Sequence, residues 1–421
     1  MKRQPHRIVL YFMFCAVLFA LIGCGETDNQ SPADELVEVP EDEDDAIGQN
    51  PEPPPLAEPV PVIELSGALE TMTLEAINIY KLISGPVVVP AGTVLTIEPG
   101  TVIQGSHSPR AWLEVEVGGK IIAEGTPTHP IIFTSDKPEG SQAAGDWGGL
   151  VIKGDSIGHF KRGGNLNDSS GILKYVRIEF AGSAYGDGHL NGISFNHVGG
   201  GTVVEHIQVF EVLDDAIELF GGNVDLRYVI VSGFRDDGID WTQGYTGTIQ
   251  YLICQKTDGH SDRGIEGDNN PDGPNFPPRS NPKIYNATII GMKNEGILLR
   301  NGSAATIKNS IVMDGESTGL MVDATSANNP IAVKSMQFMN NIFFNNHPNL
   351  DNTPGLQTNA MKIAHPETTL IVHPQLQDVA NWNWKPQLGS PALDAANADG
   401  AISDFIGAIG NDDWTIGWIR R

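Results

Sequence analysis

The sequence has few cysteines and few basic residues for its length. Three cysteines in 421 residues are too few for a disulfide framework or for a zinc site built from several cysteines. The 26 lysines and arginines are outnumbered by 52 aspartates and glutamates, so the formal net charge is −26. Binding to nucleic acid, or to anionic lipid through basic residues, needs clustered positive charge. We therefore expect no nucleic-acid partner, and any membrane attachment must have another basis.

The apolar run near the N-terminus is too short to span a bilayer. It covers the fifteen residues Ile8–Ile22, whereas a membrane-spanning helix needs about 20. A basic start followed by such a run is typical of a signal peptide. The run ends in Leu21-Ile22-Gly23-Cys24, which resembles the bacterial lipobox. The resemblance implies that residues 1–23 are a lipoprotein signal peptide and that Cys24 is lipidated after cleavage. The alternative is an uncleaved anchor.

Residues 24–62 have the composition of an extended, acidic and proline-rich tether. From residue 25 to 62 there are twelve acidic residues, eight prolines and no lysine or arginine. Like charges and prolines keep such a segment extended and unable to bury apolar surface. With a lipid on Cys24, the tether would hold a domain away from a membrane. Because Gly25, and not an aspartate, follows Cys24, we favour an outer-membrane lipoprotein of the cell envelope, periplasmic or surface-exposed.

The rest of the sequence repeats itself. One register residue precedes a short run rich in Ile and Val, at intervals of 22 or 23 residues where no insertion intervenes. A step of eleven residues then leads from His206 to Ile217, and again from Tyr228 to Ile239. Repeats of this length indicate solenoids or related arrays. The register residues are Tyr175, His206, Tyr228, Tyr251, Asn286, Asn309 and Asn341.

Two or three short strands per repeat, without a helix, predict an all-β fold made of parallel β-helix coils. Coils stack about 4.8 Å apart, and inward Ile, Val and Leu side chains form ladders. Asn286, Asn309 and Asn341 would then stack at one corner. A β-sandwich is the alternative, but it would not repeat one residue type at one corner. We predict a single-stranded β-helix of 22–23-residue coils over residues 63–421, with an N-terminal cap. The predicted C-terminal cap contains Trp382, Trp384, Trp414 and Trp418.

Five segments have a characteristic sequence: Val87–Ile103, Pro130–Ser135, Gly145–Leu150, Leu213–Glu218 and Gly389–Asp394. They resemble secreted bacterial right-handed β-helix proteins of the pectate-lyase-like class. The resemblance implies a right-handed helix. Many of these proteins are lipoproteins or surface proteins, and most have no assigned activity. The class as a whole includes lyases, glycosidases and non-catalytic adhesins, so the resemblance predicts the fold better than the function.

Acidic residues recur in register on three successive coils. One column consists of acidic pairs on two coils, with Asp262-Arg263 in the equivalent place on the third. A second column directly follows Ile217, Ile239 and Ile265. Stacking would place these carboxylates within about 5 Å of one another. Like charges that close raise a pKa or require a cation, and calcium prefers carboxylate and carbonyl oxygens. The candidate calcium ligands are Asp214, Asp215, Glu218, Asp236, Asp237, Asp240, Asp262 and Glu266.

Three interpretations of these residues stay open. They shape turns by binding backbone amides, they hold calcium, or they take part in catalysis. Polygalacturonase-like enzymes of this class use three aspartates from neighbouring coils, but their downstream motifs are missing here. A calcium-assisted lyase would need a basic residue beside the metal, and Arg263 is the candidate within the column. We assign no catalytic residue.

The sequence therefore predicts a lipid-anchored cell-envelope β-helix that acts in surface binding or adhesion. Polysaccharide, or another envelope component, is the preferred ligand class. The alternative is a calcium-assisted polysaccharide lyase or glycoside hydrolase on the same fold. An enzyme is possible but is not favoured, because no complete catalytic set lies on adjacent coils.

Overall fold

Short β-branched segments separated by turn residues form the coils of a parallel β-helix. The computed structural model describes residues 60–183, 190–257, 259–349 and 367–421. Cys24, the predicted signal peptide and most of the predicted tether lie outside these ranges. Within them, no helix is long and apolar enough to cross a membrane.

Most strands are three to six residues long, and the longest are bent. This fits coils that turn every few residues at glycine, asparagine or aspartate. The strands in the described ranges are, in chain order, β1 (Val62–Leu65), β2 (Met72–Leu74), β3 (Ile79–Leu82), β4 (Val87–Val89), β5 (Val94–Ile97), β6 (Val102–Gly105), β7 (Leu113–Val115), β8 (Lys120–Glu124), β9 (Ile131–Ser135), β10 (Leu150–Lys153), β11 (Gly171–Glu179), β12 (Ile193–Asn196), β13 (Val203–Val212), β14 (Ile217–Phe220), β15 (Asp225–Phe234), β16 (Asp237–Thr242), β17 (Thr248–Gln255), β18 (Arg263–Asp268), β19 (Lys283–Ile290), β20 (Ile297–Arg300), β21 (Thr306–Lys308), β22 (Ile311–Met313), β23 (Leu320–Val322), β24 (Gln337–Met339), β25 (Ile342–Phe344), β26 (Leu370–Ile371), β27 (Leu376–Asp378) and β28 (Asn383–Pro386).

Each coil has three faces. Sheet A has 17 strands and sheet B has nine, and both are parallel, whereas β27 and β28 form a separate antiparallel pair. Sheet A supplies two faces because its long strands bend at one residue. In β13 and β15, for example, pairing stops at His206 and Tyr228 and resumes one residue later. The pattern agrees with the predicted parallel β-helix.

Sheet B is built on an inward ladder of aliphatic side chains. Its strands stack in the order β4, β7, β10, β12, β14, β16, β18, β20 and β23. Ile217, Ile239 and Ile265 are in register and fully buried, as predicted. The complete ladder is Val87, Leu113, Leu150, Ile193, Ile217, Ile239, Ile265, Ile297 and Leu320.

From β10 to β23, a small residue precedes each member of this ladder, because neighbouring coils approach closely there. A Cβ atom on Gly264 would lie 2.4 Å from Cγ2 of Ile289 and 2.8 Å from the carbonyl oxygen of Gly296. A side chain therefore has no room at this position without displacing the backbone. The column consists of Gly149, Gly192, Ala216, Gly238, Gly264, Gly296 and Gly319.

The bend of sheet A is a column of residues with positive φ, and its last member differs from the prediction. Pairing of Lys308 with Met339 and of Ile311 with Ile342 aligns Asn309 with Asn340, not with Asn341. Asn340 has φ 57°, the conformation that asparagine tolerates better than most residues. The column is Tyr175, His206, Tyr228, Tyr251, Asn286, Asn309 and Asn340.

Asn341 instead binds the backbone of the coil below from inside the bend. Its Oδ1 accepts a hydrogen bond from Ser310 N at 2.9 Å, and its Nδ2 donates to the Ile307 carbonyl at 2.9 Å. The prediction was therefore wrong by one residue, because two adjacent asparagines compete for the corner and only the first takes the left-handed conformation.

The tryptophan-rich segment lies along the flank of the β-helix, which corrects its predicted place as a cap over the last coil. Trp418 packs against Tyr175 and His206, with ring centroids 5.7 and 5.9 Å away. Trp384 Nε1 donates to Gln255 Oε1. The segment is drawn to this flank because the aromatic column and the outward aliphatic residues of sheet A offer it an apolar surface.

Two short helices, α1 (Ala324–Ala327) and α2 (Pro330–Ser335), fill an insertion between β23 and β24. Each begins with a capping side chain. Asp323 Oδ1 accepts from Ser326 N, and Asn329 Oδ1 accepts from the N–H groups of the first turn of α2. The repeat analysis missed them because helices this short leave no periodic pattern.

Candidate functional site

The outer face of sheet B carries the acidic column predicted to follow the ladder. In β14, β16 and β18 side chains alternate, so residues next to an inward isoleucine point outward. Pairing places Glu218 directly opposite Asp240, and Asp240 opposite Glu266. Three carboxylates therefore stand in one row across three coils.

The predicted column of acidic pairs lies two and three residues before the ladder, and the members nearer the ladder bind the backbone of the next coil. Asp215 Oδ1 accepts a hydrogen bond from Asp237 N at 3.0 Å. Asp237 Oδ1 accepts one from Arg263 N, also at 3.0 Å. These bonds match the turn-shaping role, and they hold both carboxylates beside the row.

The structure brings seven of the eight predicted calcium ligands into three groups. Within each group, one carboxylate oxygen per residue lies within 4.8 Å of the others. The eighth, Glu266, instead contacts two arginines. The groups are Asp214, Asp215 and Asp236; Asp215, Glu218 and Asp240; and Asp236, Asp237 and Asp262.

Burial and mutual repulsion shift the titration of these carboxyls. Burial raises the pKa of Asp215 well above its usual range, and the charges of Glu218 and Asp237 raise it further. Burial also raises the pKa of Asp240 well above its usual range, with Asp215 and Glu218 acting in the same direction. Such carboxyls are held neutral by a proton or balanced by a cation.

Two arginines balance the carboxylates on the later coils. Arg263 Nη1 lies 3.0 Å from Glu266 Oε2 and 2.6 Å from Asp262 Oδ2, and its Nε lies 2.8 Å from Glu295 Oε2. Arg300 contacts the other Glu266 oxygen, and its Nε lies 2.9 Å from Asp268 Oδ2. Carboxylates therefore cluster around Asp240, whereas those around Glu266, one coil later, form ion pairs with arginines.

Two buried oxygen atoms in or beside the group formed by Asp215, Glu218 and Asp240 accept no hydrogen bond from the described residues. They are Oδ1 of Asp240 and Oδ1 of Asn191. Asn191 is 1% exposed, and its Nδ2 donates to Glu218 Oε2 at 2.7 Å and to Ser194 Oγ at 3.1 Å. Unsatisfied acceptors next to carboxylates are the environment that a cation or a protonated carboxyl completes.

The sequence analysis missed Asn191, Asp268, Glu295 and Arg300, although the register contains them. Asn191 and Glu295 precede their ladder residues by two positions, as Asp215 does. Arg300 follows Ile297 by three, as Asp268 follows Ile265. The eleven-residue step from Asn286 to Ile297 would have found Glu295 and Arg300, whereas insertions lengthen the steps in the coils of Asn191 and Asp268.

Two loops form a wall at one edge of this face. Both leave the C-terminal ends of sheet B strands, one after β10 and the other, residues 269–282, after β18. They meet where His159 Nε2 donates to the Pro278 carbonyl at 2.8 Å. Phe160 of the first loop is 76% exposed. It borders a cavity of about 500 Å³ that Lys153 and Asn196 also line.

A family model described as a pectate-lyase like beta helix domain matches residues 67–385. The chain belongs to this family. No curated protein and no solved structure matches the sequence. Membership agrees with the parallel coils and with the resemblance seen in the sequence, and it leaves the substrate or ligand to be inferred from the site.

Within this pectate-lyase-like β-helix, Arg263 acts as a counter-ion. Burial alone would lower its pKa, but the carboxylates of Asp237 and Glu266 raise it above its usual value. An arginine in this setting keeps its proton and does not serve as a base. The geometry supports the neutralising role over the basic role that a lyase would require.

Proposed function

We propose that this chain is a lipid-anchored cell-envelope protein whose β-helix binds a polysaccharide along the outer face of sheet B. The lipobox ending in Cys24 supports the anchor, and the acidic segment that follows supports a tether. The row of outward carboxylates is the observation that carries the binding proposal, and the exposed Phe160 lies beside Lys153 and Asn196, at the ends of two earlier strands of the same sheet.

The chemistry of that face suits a chain of sugar rings. Carboxylates accept hydrogen bonds from hydroxyl groups, and an exposed aromatic ring offers an apolar surface to the C–H groups of a sugar. Glu218 and Asp240 are half-buried and stand on neighbouring coils at the coil spacing of about 4.8 Å, so a sugar chain along the helix axis would meet one carboxylate on each of these coils.

Calcium is part of the proposal. The group formed by Asp215, Glu218 and Asp240 offers three carboxylate oxygens within 4.8 Å of one another. A cation there would relieve their repulsion and would leave coordination positions for ligand oxygens. An anionic polysaccharide would then bind through the metal, and a neutral one through the carboxylates directly.

A glycan array probed with the full chain in detergent, with and without calcium, tests the proposal. We expect binding to a defined set of polysaccharides, lost in the double variant Glu218→Gln, Asp240→Asn. The control Glu124→Gln, Glu139→Gln removes the same charge from exposed positions elsewhere and should bind normally. Absence of binding to every polysaccharide, or equal binding by both double variants, would refute the proposal.

Glycoside hydrolysis is a second candidate, favoured by the raised pKa of Asp240. A carboxyl whose pKa is raised keeps its proton to higher pH and can donate it to a glycosidic oxygen. Glu218, opposite Asp240 on the neighbouring coil, is the partner carboxylate. A separation near the coil spacing of about 5 Å suits a retaining pair.

Release of reducing ends from any polysaccharide bound on the array separates the two candidates. A hydrolase releases them and loses this activity in Asp240→Asn, while binding remains. A binding protein releases none, whichever polysaccharide it binds.

A further inference from the structure

The cavity beside Phe160, called here the Phe160 groove, lies at the C-terminal ends of β10 and β12 and measures about 500 Å³. Lys153 and Asn196 are the last residues of these two strands and stand opposite each other on neighbouring coils. Asn196 pairs in turn with Phe220 of β14, the strand that carries Glu218. The groove is therefore one coil away from the carboxylate row.

Phe160 borders this groove with an open aromatic ring. It is 76% exposed. The adjacent rings and charges of the loop pack elsewhere: His159 contacts the Phe276 ring at 5.2 Å, and the Arg162 guanidinium lies 5.3 Å from the same ring. Among the described residues, no ring or guanidinium stacks on Phe160 itself. A ligand can therefore reach its face.

The loop holds this ring in a fixed place. Gly158 N and Lys161 N each donate to the carbonyl of the other residue, at 3.0 and 3.2 Å, so Phe160 lies within a tight turn. The turn is attached to the second loop by the hydrogen bond from His159 to the Pro278 carbonyl. An aromatic ring that is already positioned costs little conformational entropy on binding.

The polar lining offers both donors and acceptors of hydrogen bonds. The half-buried side chain of Asn196 makes no hydrogen bond to a described residue, and an amide can donate and accept. The Lys153 ammonium uses one of its three donors on Glu114 Oε1, at 2.5 Å. Neighbouring hydroxyl groups of a sugar need such mixed partners, since each hydroxyl both donates and accepts.

The charges around the groove balance one another. Lys153 is paired with Glu114, and Lys161 with Asp155, both at 2.5 Å. Burial lowers the pKa of His197, and the charge of Lys161 acts in the same direction, so this imidazole is neutral at pH 7. An ionised ligand would therefore meet no uncompensated opposite charge here, whereas a neutral ligand meets an apolar ring and polar partners.

We propose that the Phe160 groove binds a neutral sugar unit of the polysaccharide, with its C–H face on Phe160 and its hydroxyl groups on Asn196 and Lys153. The inference rests on the proposed function for the kind of ligand. It adds which sugars the protein selects and where one end of the bound chain lies. The volume falls within the range of ligand pockets, which starts at about 300 Å³.

Isothermal titration calorimetry on the full chain, in a detergent without a sugar headgroup and without added calcium, tests the proposal. The probes are neutral tetrasaccharides of glucose, mannose, galactose, xylose and N-acetylglucosamine, with tetragalacturonate as the anionic probe. We expect at least one neutral tetrasaccharide to bind, and tetragalacturonate to bind at least tenfold more weakly. Phe160→Ala should weaken the neutral ligand about tenfold. Phe160→Tyr keeps the ring and should bind like the wild type.

A further variant tests the selectivity for neutral sugars. Glu114→Gln removes the carboxylate that balances Lys153. It should therefore narrow the gap between tetragalacturonate and the neutral ligand, and an unchanged gap would contradict the argument from charge.

The double variant Glu218→Gln, Asp240→Asn separates this inference from the function proposed above. If it binds tetrasaccharides normally while Phe160→Ala does not, the groove stands and the carboxylate row is not the binding surface. If it loses binding while Phe160→Ala binds normally, the groove is overturned and the row stands. The groove is also overturned if no neutral tetrasaccharide binds, or if tetragalacturonate binds the wild type as tightly as the best of them.

Discussion

The ring of Trp418 meets the imidazole of His206 edge to face, with the centroids 5.9 Å apart and the planes at 76°. His206 is also stacked between Tyr175 and Tyr228, at 4.2 and 4.5 Å. Burial lowers the pKa of this histidine to about 4, and the positive charges of Lys174 and Arg227 act in the same direction. The imidazole is therefore neutral in the folded protein at pH 7.

This environment predicts a pH-dependent loss of stability. The unfolded chain binds a proton to His206 near pH 6.5, whereas the folded chain binds it only near pH 4. Stability contributed by the neutral ring is thus complete above pH 6.5 and is lost as the pH falls toward 4. His206→Tyr, which places the neighbouring coils' residue at the same corner, should remove this loss. Thermal melts of both proteins between pH 7 and 4 check it, and a constant difference in Tm would contradict it.

The clustered carboxyls of Asp215, Glu218 and Asp240 on sheet B predict the opposite pH dependence of stability when no metal is bound. The folded pKa values of Asp215 and Asp240 are raised. Their stabilising contribution is therefore present at low pH and is lost as the pH rises through those values. Asp240→Asn should melt at a higher temperature than the wild type at neutral pH, and the difference should vanish in mild acid. An unchanged Tm at neutral pH would count against the raised pKa.

Calcium should stabilise the wild type through the same residues. An ion that binds the folded state alone adds about 2.7 kcal/mol at a hundredfold excess over its Kd. Asp215→Asn, Asp237→Asn should abolish this response, while asparagine Oδ1 keeps the hydrogen bonds to the next coil. If millimolar calcium does not change the wild-type melting curve, the proposed metal site is wrong and the carboxylates only shape turns.

Removal of Arg263 should destabilise the fold by about 3 kcal/mol, because buried carboxylates lose their counter-ion. Its side chain is 19% exposed, and that of its partner Glu266 is 4% exposed. Urea unfolding of Arg263→Met measures the loss, and adding Glu266→Gln should recover part of it. Arg300→Met is the matched control. Its side chain is 39% exposed, so its loss should be smaller; an equal loss would contradict the argument from burial.

The glycine column predicts a local packing defect. Gly264→Ala places a methyl group 2.4 Å from Ile289 Cγ2, and overpacking of this kind costs about 1–3 kcal/mol. Gly163→Ala, where no atom lies within 4 Å of the added Cβ, should be neutral. Urea midpoints of the two variants make the comparison. The packing argument fails if Gly264→Ala is as stable as Gly163→Ala.

Lipidation of Cys24 remains a prediction from the lipobox. Cys24→Ser should abolish incorporation of a labelled fatty acid and leave the chain unprocessed, because the thiol that carries the lipid is gone. Metabolic labelling of cells that express both forms measures this directly. Cys15→Ser, inside the apolar run, is the matched control and should be labelled like the wild type. Equal labelling of Cys24→Ser would rule out the anchor.

The repeat in the sequence predicted the coils because it reports packing between neighbours. An inward isoleucine meets another isoleucine one coil away, so Ile217, Ile239 and Ile265 were readable from spacing alone. The row formed by Glu218, Asp240 and Glu266 could be predicted for the same reason, because each of these residues follows a ladder residue by one position. Asn340 and Asn341 were not distinguishable, because only backbone conformation decides which of two adjacent asparagines takes positive φ.

The repeat could not predict contacts between residues at different offsets from the ladder or in distant parts of the chain. Arg300 and Glu266 belong to adjacent coils but follow different offsets from the ladder, so a search along one column passes over their ion pair. The path of the C-terminal segment depends on contacts such as Arg420 N with Gln208 Oε1, which are 212 residues apart. No local pattern encodes such a contact.

That segment changes how the stacked coils carry a load. Coils of a solenoid are joined in series, each contacting only its neighbours. Here, Asn309 Nδ2 donates to the Asp399 carbonyl at 3.2 Å, and Gln208 Nε2 donates to the Arg420 carbonyl at 2.7 Å. The C-terminal segment therefore connects the coils at these two points directly, in addition to the connection through the coils that lie between them. Tension applied along the helix axis is shared by the bridge, while the coils before β13 lie outside the stretch that these two bonds span.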